Sequence, residues 1–129
     1  MFVNNFLRFA VILSCSSSLV FAQTPAVNTT GVFSDLEYYE EGGDLVGTEL
    51  FIFIAGGHMV LFQESLGEPM QPHLVKANVN GDRIEFSLPD DSSGEKRVFN
   101  GKFTKTGIIG NWVGSKEKFE LPLRKSYWQ

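Results

Sequence analysis

From Val32 onward, apolar residues fall at every second position in short runs. Glycine, asparagine and proline separate these runs. A period of two is the signature of a strand with one buried and one solvated face. No window holds the 3.6-residue period of an amphipathic helix. Eight strands are predicted: Val32–Glu40, Asp44–Ile54, Met59–Glu64, His73–Val79, Asp82–Leu88, Arg97–Thr104, Ile108–Val113 and Lys118–Lys125. The connections are short, which favours antiparallel neighbours over crossover helices.

The best-defined unit is the hairpin in "PHLVKANVNGDRIEFSLP". Asn-Gly suits a two-residue turn in which both positions need positive φ. A turn at Asn80-Gly81 pairs Val79 with Asp82, Ala77 with Ile84, Val75 with Phe86 and His73 with Leu88. The apolar residues then share one face, and Lys76, Asn78, Arg83, Glu85 and Ser87 share the other. In the last run Phe119, Leu121 and Leu123 face in, with Lys118, Glu120 and Arg124 out. Pro122 cannot donate a ladder bond, so an edge, a bulge or an imperfect closure is expected there. "LFIFIA" at Leu50–Ala55 is apolar on both faces, so it is either covered on its outer side or an exposed apolar patch.

Eight short antiparallel strands with tight loops fit an up-and-down barrel, whose closure removes exposed edges. The alternative is a two-sheet β-sandwich. In "VFNGKFTKTGIIGNWVG", Phe99-x-Gly101-x-Phe103 and Ile108-x-Gly110-x-Trp112 place a glycine between two bulky residues on one face. This suits a strand bending around a narrow interior. A two-residue turn at Thr106-Gly107 sets Phe103 across from Gly110 and Gly101 across from Trp112, so that an aromatic covers each glycine. A three-residue turn through Lys105-Thr106-Gly107, with Gly107 left-handed, moves the pairing by one and turns Trp112 outward. The shared large-small-large order favours Trp112 inward. No helix follows these glycines, so they do not form a phosphate loop.

The NG-hinged hairpin, "F-x-G-x-F", "I-x-G-x-W" and a final "FELPLRK", behind a secretion leader, resemble the small lipocalin-like barrels of bacterial secreted proteins. Similar barrels occur as accessory domains on bacterial hydrolases. The resemblance spans roughly Gly31 to Lys125 and implies a lipocalin-like barrel and non-enzymatic binding. It assigns no site residue. True lipocalins are longer and usually open with Gly-x-Trp near the N-terminus, whereas the Gly-x-Trp of this chain stands far along it, at Gly110–Trp112.

The first residues change the picture of where the protein works. "MFVNNFLRFAVILSCSSSLVFAQ" carries Arg8, a short apolar run, and Val20 and Ala22 at the positions signal peptidase reads. The expected organisation is a signal peptide over 1–22, a flexible linker over 23–31 and one barrel domain over 32–129. Secretion or export to the periplasm follows. The rival reading takes "ILSC" as a lipobox and anchors the chain to a membrane through Cys15. Cleavage after Ala22 removes Cys15, the one cysteine, so the fold must rest on its core rather than on a disulfide.

From Gly31 to Met70 there are eight acids and no base, and from Lys96 to Lys125 eight bases and two acids. In a closed sheet the first and last strands are neighbours, so acidic and basic strands are expected to meet, the alternative being a charged binding face. The net charge of −4 speaks against a nucleic-acid partner.

Chemistry-bearing residues are few. His58 and His73 lack further ligands at metal-site spacing and read as turn or rim residues. "EYYEEGGD" reads as a solvated strand end entering a Gly-Gly turn rather than a calcium loop. No serine sits in a nucleophile elbow, and no nucleotide or zinc pattern occurs, so no metal or cofactor is expected and enzymatic activity, as a small hydrolase, ranks last among the readings. The expected function is a non-enzymatic binding module for a small apolar ligand or an envelope component. Phe86, Phe99, Phe103, Trp112 and Phe119 are the candidate ligand-lining residues, with Phe51 or Ile52 also inside a mostly filled barrel. The alternative is a protein-interaction factor, such as an inhibitor or immunity-type protein, working through its rim loops and C-terminal tail. Leu66 and Met70 in "ESLGEPMQP", and Tyr127 and Trp128 in the tail, are then the partner contacts.

Overall fold

A computed structural model describes residues 26–89 and 94–129. The expected leader with Cys15, and the start of the expected linker, lie outside the described residues. Nine strands follow in order: β1 Gly31–Ser34, β2 Glu37–Tyr39, β3 Asp44–Ile54, β4 His58–Gly67, β5 His73–Asn80, β6 Arg83–Ser87, β7 Val98–Phe103, β8 Gly107–Trp112 and β9 Phe119–Pro122. All pairings are antiparallel, in the order β1-β3-β4-β5-β6-β7-β8-β9, with β2 attached to β3. The Phe33–Leu123 bridge and a 3.0 Å bond from Arg124 N–H to the Val32 carbonyl bring the two ends together. The molecule is therefore a nearly closed eight-stranded antiparallel barrel, and the sandwich alternative falls away. Beyond Pro122 the closure is carried by Leu123 and Arg124 alone, in keeping with the imperfect seam expected there.

The run expected as one strand over Val32–Glu40 is split into β1 and β2, yet both pair with β3 in one continuous register. Asp35 makes the break. Its own N–H still donates to the Thr48 carbonyl (3.0 Å), but its carboxylate accepts the Thr48 N–H (2.6 Å). A side chain thus takes the place of a backbone carbonyl in the ladder. β4 runs on to Gly67, three residues past the expected end, and pairs with β3 as far as Leu45. The irregular loop accordingly begins at Glu68.

Both glycine-marked hairpins keep the expected faces but turn elsewhere. In β5–β6 the pairs are Asn80–Arg83, Val79–Ile84, Asn78–Glu85 and Ala77–Phe86, so the turn is Gly81-Asp82. Only Gly81 has positive φ (61°). Asn80 does not enter the left-handed region, which places glycine first in the turn rather than second. The register moves by two, so every side chain stays on its expected face. β7–β8 behaves alike, with Phe99 opposite Trp112, Gly101 opposite Gly110 and Phe103 opposite Ile108. The turn is Lys105-Thr106, closed by Thr104 N–H on the Gly107 carbonyl (2.8 Å). The Thr104 hydroxyl accepts from Gly107 N–H (3.1 Å) and Thr106 N–H (3.3 Å). Gly107 is not left-handed, so the three-residue alternative fails and Trp112 turns inward.

The cover over the glycines differs from the expectation. One ring, Phe99, serves both: a Cβ on Gly101 would meet its Cε1 at 2.7 Å, and one on Gly110 its Cε2 at 2.7 Å. The paired glycines make room for a single aromatic lying across two strands. Phe33, Leu50, Ile52, Val60, Phe62, Ile84, Phe86, Leu88, Phe99, Phe103, Ile108 and Leu121 occupy the interior, each at most 3% exposed. Ile52, not Phe51, is the inward member of its pair. Burying side chains of this size contributes about 1.5–3 kcal/mol each. That is how a small domain closes without a disulfide.

Candidate binding surfaces

The five candidate ligand-lining residues all come to the interior. Phe86, Phe99 and Phe103 are buried in the core, while Trp112 and Phe119 are half-buried beside it. Four of them gather at one end. Phe99 lies 4.9 Å from Phe86, 5.5 Å from Trp112 and 5.4 Å from Phe119, and Phe62 lies 5.6 Å from Trp112. Phe103 sits apart, against Phe33 at 5.7 Å. The rings are mostly tilted or edge-on, the arrangement their quadrupoles prefer.

Arg97, which no sequence pattern singled out, closes this end. Its guanidinium lies 4.1 Å from the Trp112 ring and donates to both Glu64 carboxylate oxygens at 2.9 and 3.3 Å. Stacking on an aromatic face while forking to a carboxylate is what a planar guanidinium does and an ammonium does not. Here an acid of the first half does meet a base of the second, but across the barrel mouth. At the β1–β9 seam the described residues form no ion pair. Beside the Arg97 cap is a cavity of ≈180 Å³ that Phe62, Met70, His73 and Leu88 help to line. The other histidine, His58, contacts Thr29 Oγ1 at 3.3 Å at the opposite end of β4.

The four candidate partner contacts are exposed but do not form one surface. Leu66 (75% exposed) is the last residue but one of β4, and Met70 (49%) lies in the loop after it, tied to Gln63 and Glu64. Tyr127 and Trp128 belong to a tail strapped across β1 and β3. Glu49 holds the strap: it accepts from Ser126 Oγ (2.5 Å) and from Tyr127 N–H (3.0 Å). Arg124 adds a bond to the Leu36 carbonyl (3.2 Å).

The strap borders a contiguous apolar stretch of the exterior. Val32, Phe51, Leu61 and Leu74 stand opposite one another on β1, β3, β4 and β5, one unbroken row on the outer face. Phe51 is 43%, Leu61 37% and Leu74 59% exposed. Phe53 stacks on Phe51 at 5.2 Å and pairs with Met59, adding a second row. Trp128 stands over the first row, and a groove of ≈200 Å³ runs between it and Val32, Phe51, Leu61 and Gln63. Of the two outcomes expected for "LFIFIA", the exposed patch is the one found. For Leu61 the sequence carries a signal, since "MVLFQE" is apolar at successive positions like "LFIFIA". Leu74 has none in its own run, and only the register adds it to the row.

Comparison of the chain with known protein families, with curated proteins and with solved structures finds no match.

Proposed function

We propose that this is a non-enzymatic binding protein of the secreted or periplasmic space, released by cleavage near Ala22, and that it holds an envelope protein against its outer face. The row Val32–Phe51–Leu61–Leu74, bordered by the Trp128 strap, carries the reading. Solvent-facing apolar residues contiguous across four strands do nothing for the core. They lower solubility unless a partner covers them. A barrel end stoppered by aromatics speaks for the outside over the inside. The ≈180 Å³ beside the cap falls short of the roughly 300–1,000 Å³ of small-molecule sites. On this reading Trp128 and Tyr127 are contacts on the main surface, and Leu66 and Met70 belong to the rim. The likeness to small lipocalin-like barrels is then one of scaffold, with the ligand pocket given up.

The test is retention of an envelope partner on immobilised protein. The Phe51→Ser/Leu61→Ser double variant should keep the parent's thermal unfolding and lose the partner. An apolar fluorescent probe that binds one per molecule, equally well in parent and variant, would return the function to the interior.

A further inference from the structure

We propose a second binding site, for an anionic saccharide, on the opposite outer face of the barrel. There β7 and β8 run over the backs of the Gly101–Gly110 pair, between the outward rows Lys102–Ile109 and Asn100–Asn111. An open groove of ≈370 Å³ lies along them, within the size range of small-molecule sites. Arg83, Lys102 and Lys118 line it, with the amides of Asn100 and Asn111 and the side chain of Ile109. Among the described residues neither Arg83 nor Lys118 has an ion-pair partner, and Lys102 has only an exposed contact with Asp82 at 3.3 Å. Glu85, opposite Asn100, and Glu120, opposite Ile109, share this face of the sheet but do not line the groove.

The mixture of groups selects the ligand class. A carboxylate suits the fork of Arg83 and the point charges of the lysines. Asn100 offers a donor pair and an acceptor for hydroxyls, as a sugar requires. Ile109, 39% exposed, presents an apolar surface to the C–H face of a sugar ring. A single nucleic-acid strand would want aromatic platforms, and none lines the groove. A sugar acid within an oligosaccharide uses all three kinds of group together.

Calorimetric titration of the full chain at low salt with a galacturonic-acid trimer tests the site. The trimer should bind, and the neutral galactose trimer at least about tenfold more weakly, since one lost charge-assisted contact accounts for about that factor. Arg83→Ser and Lys118→Ser should each weaken the trimer severalfold with unfolding curves unchanged. Asn100→Ala should weaken both sugars. Phe51→Ser on the far face should change nothing, which separates this site from the proposed partner surface. No binding by the parent, or binding indifferent to Arg83→Ser and Lys118→Ser, overturns the proposal. So does equal affinity for inorganic polyphosphate, which would mark a charge-only surface.

Discussion

Two rows of four residues circle the outside of the barrel, and they have little in common. On β1, β3, β4 and β5 the row reads Val32, Phe51, Leu61, Leu74; on β6, β7, β8 and β9 it reads Arg83, Lys102, Ile109, Glu120. Inside, the same two sets of strands are alike. The first contributes Phe33, Leu50, Ile52, Val60 and Phe62; the second Ile84, Phe86, Phe99, Phe103, Ile108 and Leu121, all buried. Closing a small barrel makes one demand on every inward position, a filled interior, and both halves meet it. Outward positions face no such demand. Their divergence is what both proposed binding faces rest on.

If the halves differ only outside, inward truncation should be costly in either. Phe99→Ala and Phe62→Ala should each lose about 3–5 kcal/mol in urea unfolding. A cost confined to one half would mean that the other is not part of a common core. Phe99 should be the less replaceable, since two missing Cβ atoms depend on its ring.

Next in size is the glycine pair, an internal feature of the second half. Gly110→Ala places a methyl against the Phe99 ring and, at 2.7 Å, the Asn100 carbonyl. An overpacking cost of about 1–3 kcal/mol is expected. In a Phe99→Leu background the cost should shrink, and a double-mutant cycle reads the coupling. A purely additive cycle would show that the ring and the glycines do not share space.

The Arg97 cap, which ties the halves across the mouth, comes third. Arg97→Ala should cost about 1–2 kcal/mol, mostly from the lost stacking on Trp112, because a partly exposed ion pair contributes little. Arg97→Lys should recover less than half, lacking the planar fork.

Smallest of all are the outer rows. Leu61→Ser and Lys102→Ser should each change stability by no more than about 0.5 kcal/mol. Near-neutral results on both sides would sharpen the comparison, because the apolar row would then be doing nothing for the fold.

Much of this was legible in the sequence, for a physical reason. Strand faces follow from a period of two, and that survives a register error of two. The period alone therefore puts Trp112, Phe86 and Phe119 inward, whichever of two registers, two residues apart, each hairpin adopts. Turn position is less legible, because glycine suits the second place of one hairpin turn and the first place of another, which is the one Gly81 takes, and because the Thr104 hydroxyl supports a turn with no left-handed residue. Contacts between distant segments left no local trace. Arg97 over Trp112, Glu49 holding the tail and one ring covering two glycines all depend on how the sheet closes. The four-strand apolar row was half legible, for "LFIFIA" gave its first face, but its continuation through Leu61 and Leu74 needed the register.

The most direct test of the two outer faces is a paired photo-crosslinking experiment. A photoreactive amino acid is placed at Leu61 in one variant and at Lys102 in another, each a full chain exposed to the same envelope fraction. A discrete protein adduct is expected from position 61, lost on adding Phe51→Ser, and none from position 102. Protein adducts of equal yield from both positions, or from position 102 alone, would contradict that expectation.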